Sequence, residues 1–156
     1  MAYEQIKTET RGHVGIITLS RPEKLNAWTD LMHRELVDQV EQWNADDDIG
    51  AIVFTGEGRA FCAGADIGGF SDRLETVDEA PTGGGATNIA TPWPTMLQRS
   101  KPTVAAINGY AIGVGLTMVL PCDVRLAAEE AQVSIRFVKV GLVPELGSTR
   151  LLAQIV

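Results

Sequence analysis

The sequence predicts an α/β fold with a mainly parallel sheet. Two short segments rich in β-branched residues, 3–10 and 14–19, flank a turn that contains Gly12, so they are expected to pair as an antiparallel hairpin. A helical segment follows, and after it a nearly continuous apolar run, 49–55, has the length of a buried strand. Because a strand, a helix and a second strand form a crossover unit, the strands on either side of this helix are expected to run parallel.

The first helix is predicted from its N-cap and from its apolar spacing. Thr29 has a side chain that can cap the first turn, and the helix is expected to end near Asn44. The apolar residues that recur at helical spacing are Met32, Leu36, Val40 and Trp43. Both signals place the helix between the two parallel strands.

The remainder of the chain continues the alternation of strands and short helices. We expect a glycine-rich loop at 56–69 and, because charged residues give way to prolines and glycines, a mobile surface excursion at 71–93. The elements predicted beyond it are a helix at 96–99, strands at 103–107, 123–127 and 133–135, a short helix from about Gly113 and a final helix opened by Ser148. The alternation of strands and helices in the first half of the chain therefore recurs in the second half, although the sequence itself does not repeat.

Length and composition predict one folded domain over residues 1–156. A chain of 156 residues with 45% apolar and 21% charged residues can bury a core of its own, which excludes a disordered or fibrous protein. Its net charge of −7, from 13 Lys and Arg against 20 Asp and Glu, argues against a basic face for nucleic acid. We therefore expect no nucleic-acid partner, and any anionic ligand must be held locally.

The cysteines and the apolar segments indicate where the protein acts. Cys62 and Cys122 lie far apart in apolar sequence, which indicates neither a disulfide scaffold nor a metal or redox pair. The first ten residues carry no export signal, and the longest apolar stretch, 111–120, is about half as long as a bilayer span. We expect a cytoplasmic protein that does not cross a membrane.

Two glycine-bracketed segments are the first candidates for chemistry. The segments 60–67 and 108–117 both place glycines among small or apolar residues, just after a strand and at the start of a helix. Glycines let a backbone approach a ligand, and two N–H groups that converge on one oxygen form an oxyanion hole. The alternative is that these glycines serve turns and close packing only. Taken alone, each segment leaves both interpretations open.

Distinctive short blocks occur in a fixed order along almost the whole chain. They read RPEKLNA at 21–27, AFCAGADI at 60–67, KPTVAAINGYA at 101–111, CD at 122–123 and VGLVP at 140–144. Together they resemble the crotonase family, which comprises enoyl-CoA hydratases and isomerases. The resemblance implies a crotonase-like core, a superhelix of ββα units, and an acyl-CoA thioester as the substrate. It leaves the reaction open, because the family hosts many chemistries on one scaffold.

The resemblance also implies roles for particular residues. The N–H groups of Ala65 and Val114 match the pair that holds the thioester oxygen in the family and stabilises an enolate. Val114 replaces a glycine common at its position, but its N–H remains a donor if its φ is negative. The residues that match the coenzyme A path are Lys24, Leu25, Ala63, Asp66 and Ile67. Coenzyme A is then part of the substrate, no tightly bound cofactor is expected, and the implied assembly is a homotrimer or a hexamer.

The acidic residues depart from the hydratase pattern. The positions that carry two glutamates in hydratases of the family look like Thr117 and Phe137, and neither side chain exchanges a proton usefully at neutral pH. Glu145, directly after Pro144, matches the place where several isomerases of the family carry a single acid. The alternative for Glu145 is a solvated acid near the start of the last helix, where the helix dipole favours it.

Glu145, as a single catalytic carboxylate, favours an isomerase. It can take a proton from C2 of a 3-enoyl thioester and return it at C4, which gives the 2-enoyl product without addition of water. The alternatives among enzymes are an enoyl-CoA hydratase and a related hydrolytic or lyase activity. The alternative of another class is a noncatalytic acyl-CoA-binding or assembly subunit, which the missing glutamates would also explain.

The other polar candidates are assigned structural roles. His13 is expected in the hairpin turn and His33 on the polar side of the first helix, both as surface histidines. Cys62 has no histidine near it in the predicted fold and is interpreted as a packing residue. The acidic triplet 46–48 is consecutive and cannot easily converge on one ion, so no metal is expected.

The last predicted helix has no stop signal. Its apolar residues fall on one helical stripe: Leu151, Leu152, Ile155 and Val156. We expect that the chain is cut off within this helix and that the C-terminal helical region typical of the family is missing. The stripe is then expected to cause self-association or a poorly ordered terminus.

Overall fold

The computed structural model describes residues 3–66 and 92–156. Ile67 lies outside the described residues, and so does the excursion expected at 71–93, apart from Pro92 and Trp93. Within the described ranges, every helix is too short or too polar to cross a bilayer.

A five-stranded sheet forms the larger layer. Its strands, in spatial order, are β1 (Ile6–Arg11), β2 (Val14–Leu19), β3 (Ala51–Gly56), β5 (Thr103–Ile107) and β7 (Val124–Ala127). The pair β1 and β2 is antiparallel, with Ile6 opposite Leu19, so the predicted hairpin is confirmed. The pairs β2–β3, β3–β5 and β5–β7 are all parallel, which confirms the predicted crossover.

Helix α1 (Asp30–Ala45) connects β2 to β3 and covers the core. The side chain of Thr29 accepts a hydrogen bond from the N–H of Met32 at 3.0 Å, so the predicted N-cap is confirmed. The apolar residues expected on its inner face are all buried. At the far end of the helix, a Cβ atom on Gly15 would lie 2.5 Å from the Trp43 ring, so β2 and α1 are in direct contact there.

A second, three-stranded sheet packs beside the first. It consists of β4 (Ala60–Cys62), β6 (Tyr110–Ile112) and β8 (Val133–Ser134), all parallel. The prediction that residues 60–62 lie in a glycine-rich loop is wrong, and the strand at 110–112 was not predicted from the sequence. Strands of two or three residues are too short to show alternation, and these form where distant segments of the chain approach each other closely. A Cβ atom on Gly109 would lie 2.1 Å from the carbonyl oxygen of Arg59.

The remaining helices are short. They are α2 (Trp93–Gln98), α3 (Val114–Thr117) and α4 (Ser148–Ile155), with 3-10 helices at Pro22–Lys24 and Phe137–Val140. The three predicted helices are confirmed, but α2 begins three residues earlier than expected. The Trp93 side chain is buried, and its Nε1 donates a hydrogen bond to the carbonyl oxygen of Met118 at 2.8 Å. This bond, between residues distant in sequence, anchors the first residue of α2.

Helix α4 carries the apolar stripe expected at this end of the sequence. Leu151 and Leu152 are half-buried, whereas Ile155 is 42% exposed and Val156 is 94% exposed. The stripe is therefore partly covered at Leu151 and Leu152 and exposed at Ile155 and Val156.

Candidate active site

The loop after β4 is tied to the loop before α1. The backbone bonds that join them are Ala63 N–H to Leu25 O at 3.0 Å, Trp28 N–H to Gly64 O at 2.8 Å and Asp66 N–H to Trp28 O at 2.9 Å. These bonds hold the first glycine-bracketed segment against the block that begins with Arg21.

The backbone N–H of Ala65 points away from Trp28. The two residues form a parallel bridge in which Trp28 bonds to Gly64 and Asp66, on either side of Ala65. In this pattern the peptide groups of the intervening residue face the opposite direction. Ala65 is exposed, and within residues 3–66 and 92–156 its N–H meets no acceptor. The N–H is therefore unpaired within these residues.

The backbone N–H of Val114 lies at the first position of α3. Gly113 precedes it with a φ of 54°, and the Gly113 N–H donates to Ser134 O at 2.9 Å. The N–H groups in the first turn of a helix have no intrahelical acceptor. Val114 itself has a helical backbone with a negative φ, so its N–H remains a donor as expected. A second N–H is thus presented at a glycine turn.

The segments that carry the two N–H groups pack closely against each other. A Cβ atom on Gly115 would lie 2.1 Å from the carbonyl oxygen of Cys62, so α3 rests directly on the backbone of β4. A Cβ atom on Gly64 would lie 3.4 Å from the carbonyl oxygen of Ile112. The two glycine-bracketed segments, which are separated in sequence, therefore lie side by side.

Replacing Gly115 by alanine is expected to destabilise the fold by about 1–3 kcal/mol, the usual cost of overpacking. The added methyl group would overlap the Cys62 carbonyl group. The matched control is Gly50→Ala, since a Cβ atom on Gly50 would lie 3.7 Å from its nearest neighbour, the His13 carbonyl oxygen. Urea denaturation of both variants measures the free energy of unfolding. A Gly115→Ala protein as stable as the wild type would contradict the close packing of α3 on β4.

The described residues that match the coenzyme A path lie on the two joined loops. Lys24 is exposed at the end of the first 3-10 helix, and Leu25 follows it with a φ of 52°. Ala63 donates its N–H to Leu25 O. The Asp66 carboxylate is half-buried and accepts a hydrogen bond from Arg21 Nη2 at 2.9 Å. The structure thus brings these two loops together at the segment that carries Ala65.

The two positions that match the hydratase glutamates hold uncharged, buried side chains. Thr117 is fully buried, and its Oγ1 lies 3.4 Å from the carbonyl oxygen of Val114. Phe137 is also buried, and its ring edge lies 4.0 Å from the position that a Cβ atom on Gly113 would occupy. Both side chains therefore border the turn that presents the Val114 N–H, and neither brings a carboxylate to it.

Glu145 lies in the loop between the second 3-10 helix and α4. The loop is anchored by hydrogen bonds from Leu142 N–H to Phe137 O and from Ser148 N–H to Glu145 O, both at 3.0 Å. The Glu145 side chain is half-buried, and this burial raises the pKa of its carboxyl group above the usual range. Among the described residues, its carboxylate has no hydrogen bond to either glycine-bracketed segment. The side chain is partly shielded from solvent and lies near the start of α4.

The prediction for His33 is also wrong. Its side chain is half-buried, with ring centroids 5.1 Å from Trp28 and 5.9 Å from Trp93. This burial lowers the pKa of the imidazole. The side of α1 that looked polar is covered because α2 starts at Trp93, earlier than expected. His13 is exposed in its turn, as predicted.

Cys62 lies beneath the candidate site as a packing residue. Burial raises the pKa of its thiol to about 11, so almost none of it is thiolate at neutral pH. In the described part of the chain, no three His, Cys, Asp or Glu side chains cluster as a metal site would require.

Two residues of this region were not singled out from the sequence. Arg21 pairs with Asp66, 45 positions later, and Trp28 pairs with Ala65. Both contacts join loops that are distant in sequence, so no local pattern marks them. The only available signal was that Arg21 opens one of the distinctive blocks.

The site thus combines a two-sheet α/β core with two backbone N–H groups, those of Ala65 and Val114, that have no acceptor within residues 3–66 and 92–156 and lie at neighbouring glycine turns. The chain belongs to the enoyl-CoA hydratase/isomerase family, the crotonase family, whose model matches residues 9–156. The predicted family and the crotonase-like fold are thereby confirmed.

Curated relatives and solved structures agree with this assignment. The probable enoyl-CoA hydratase of Rhizobium meliloti is 36% identical over 100% of this chain. The 1,2-epoxyphenylacetyl-CoA isomerase of Escherichia coli is 37% identical over 97% of it. The crystal structure of an enoyl-CoA hydratase from Polaromonas sp. JS666 covers 97% of it with a TM-score of 0.83 and 28% identity. The chain spans 58% of the length of each of these proteins.

Proposed function

We propose that this chain is the acyl-CoA-binding core of an isomerase, which converts a 3-enoyl-CoA thioester into the conjugated 2-enoyl-CoA thioester. The observation that carries the proposal is the distribution of acids. Glu145 is a half-buried carboxylate, whereas Thr117 and Phe137 stand where a two-glutamate hydratase would need its acids. A double-bond shift needs one group that takes and returns a proton, and hydration needs a further group to activate water.

In this proposal the N–H groups of Ala65 and Val114 bind the thioester oxygen. Loss of the C2 proton moves negative charge onto that oxygen, and two fixed donors stabilise the charge where it develops. The two N–H groups lie on neighbouring segments, and within the described ranges neither has an acceptor of its own. Removal of one such donor typically lowers a rate by roughly 10²–10³.

Glu145 acts first as the base and then as the acid. Its carboxylate removes a proton from C2, which gives a dienolate, and the carboxylic acid so formed returns a proton to C4. Burial raises the pKa of this carboxyl group, so the carboxylate is a stronger base than a solvated glutamate. No water is added, and the substrate and the product have the same mass.

Coenzyme A arrives as part of the substrate, and the proposal assigns no resident cofactor. The joining of the two loops at the segment that carries Ala65 supports a path for coenzyme A along them. The residues proposed to line this path are Lys24, Leu25, Ala63, Asp66 and Ile67. A homotrimer or hexamer is the proposed working form, and the family resemblance supports it. The proposed cytoplasmic location rests on Cys62 and Cys122, which show no disulfide or metal-site pattern.

A hydratase is the second candidate, and the names of the relatives favour it. The Rhizobium and Polaromonas proteins are named as hydratases, whereas the Escherichia coli relative is named as an isomerase. Hydration by this chain would require Glu145 to activate water without the two family glutamates. A noncatalytic subunit would bind the thioester and leave it unchanged.

Product analysis by mass spectrometry separates these candidates. The protein is incubated with a 3-enoyl-CoA thioester and, separately, with a 2-enoyl-CoA thioester. An isomerase gives a product of unchanged mass with a shifted double bond, and a hydratase gives a product heavier by one water. A water adduct of the 2-enoyl thioester, without interconversion of the two enoyl isomers, would overturn the isomerase proposal.

The pH dependence of kcat is expected to report the ionisation of Glu145. Only its carboxylate can take up a proton, so kcat should fall as the pH drops through the raised pKa of this group. The acid limb is therefore expected above the ordinary glutamate range. Rates with saturating 3-enoyl thioester between roughly pH 4 and pH 9 test this. A rate that stays constant down to the ordinary glutamate range would contradict the role of a buried base.

A further inference from the structure

The side chain of Arg21 joins the two loops at the candidate site. Its Nη1 donates to the carbonyl oxygen of Ala27 at 2.6 Å, and its Nη2 donates to Asp66 Oδ2 at 2.9 Å. The Arg21 and Asp66 side chains are only 16% and 25% exposed, so their ion pair is largely shielded from water and salt. Such charge-assisted bonds are stronger than neutral ones.

These two contacts flank the pairing of Trp28 with Ala65. Ala27 directly precedes Trp28, and Asp66 directly follows Ala65. The Arg21 guanidinium therefore binds Ala27, the residue before Trp28, and Asp66, the residue after Ala65. Because the guanidinium is planar and its donors have a fixed geometry, the loops cannot slide past each other without breaking one of these bonds.

The backbone of Arg21 is anchored in turn by Asn26. The Arg21 N–H donates to Asn26 Oδ1 at 2.8 Å, and the Asn26 side chain is fully buried. Asn26 Nδ2 donates to the carbonyl oxygens of Glu57 at 3.0 Å and Ala60 at 2.8 Å. Since Ala60 is the first residue of β4, this arginine is held against the same strand that leads to the Ala65 N–H.

We propose that Arg21 is a positioning residue that holds the Ala65 N–H in the orientation needed to bind the thioester oxygen. This inference rests on the proposed function, since it takes the Ala65 N–H to be one of the two oxyanion donors. A misplacement of about 1 Å can lower a rate by about 10². Loss of the guanidinium therefore weakens stabilisation of the enolate more than binding of the thioester.

The test compares three arginine variants. Arg21→Met keeps an unbranched side chain that can pack like the arginine stem but lacks the guanidinium, and Arg21→Lys can retain the pair with Asp66 but not both bonds at once. Arg11→Met is the matched control, because Arg11 also pairs with a carboxylate, that of Glu9, but its side chain is 73% exposed. Circular dichroism establishes that each variant is folded.

The probe is acetoacetyl-CoA, whose enolate absorbs in the near ultraviolet and forms without turnover. Its Kd and the enolate absorbance at saturation are measured across a pH series. Arg21→Met is expected to reduce the bound enolate at fixed pH by about 10–100-fold, while Kd changes by less than about threefold. Arg21→Lys should restore part of the enolate signal, and Arg11→Met should change neither quantity.

A wild-type enolate signal in Arg21→Met would overturn the proposal, and so would a loss confined to Kd, which would make Arg21 a direct contact of coenzyme A. Should Arg21→Met fail to fold, Arg21→Lys provides the same comparison. An intact enolate signal in a wild-type protein that isomerises no 3-enoyl thioester would contradict the proposed reaction alone. A wild-type protein that forms no enolate would contradict both.

Discussion

Replacing Glu145 by glutamine is expected to lower kcat by at least about 10², the lower end of what general acid–base catalysis contributes. Glutamine keeps the size and the hydrogen-bonding capacity of the side chain but cannot take up the C2 proton. The Kd of the thioester should be nearly unchanged, because the lost interaction is made only in the transition state. Steady-state rates with a 3-enoyl-CoA thioester and calorimetric binding of a saturated acyl-CoA measure the two quantities.

The matched control for this substitution is Glu41→Gln. Glu41 is an exposed glutamate on α1, so the same chemical change there should leave both kcat and Kd unaltered. An unchanged kcat in Glu145→Gln would remove this residue from the mechanism. The single-carboxylate proposal would then have no base.

Replacing Val114 by proline is expected to lower kcat by about 10²–10³, because proline deletes one of the two proposed oxyanion donors. Proline is well tolerated at the first position of a helix, so α3 should keep its geometry. Binding of coenzyme A should change little, since the residues proposed for its path lie on other loops. The measurement is kcat with saturating 3-enoyl thioester, corrected for the folded fraction by circular dichroism.

Val114→Gly is the control that retains the N–H group. The Val114 side chain is only 4% exposed, so this variant is expected to be less stable than the wild type while it keeps kcat per folded molecule. Similar activity in the proline and glycine variants would contradict the assignment of the Val114 N–H as a donor.

Local patterns in the sequence were sufficient for the larger sheet and its helix. Thr29 caps α1 through a contact three residues away, and the apolar spacing up to Trp43 follows from helix geometry. The parallel pairing of β2 with β3 follows from the length of the connection between them. The family blocks likewise directed attention to the segments of Ala65 and Val114, which the structure brings side by side.

Other features depend on contacts that no local pattern encodes. The smaller sheet consists of strands of two or three residues, and its close approaches at Gly109 and Gly115 are visible only when the partner backbones are in place. His33 looked like a surface residue because its neighbours along α1 are polar, and its burial comes from Trp28 and Trp93.

The sequence by itself determined the family, the main sheet, the helix that covers it and the identities of the candidate donors and acid. These properties reside in residue types and in spacings within one element or one block. Only the tertiary structure decided the orientation of the Ala65 N–H, the burial of Glu145 and the pairing of Arg21 with Asp66. Each of these arises where segments far apart in sequence exclude water from one another or form hydrogen bonds with one another. Such contacts exist only once the chain has folded.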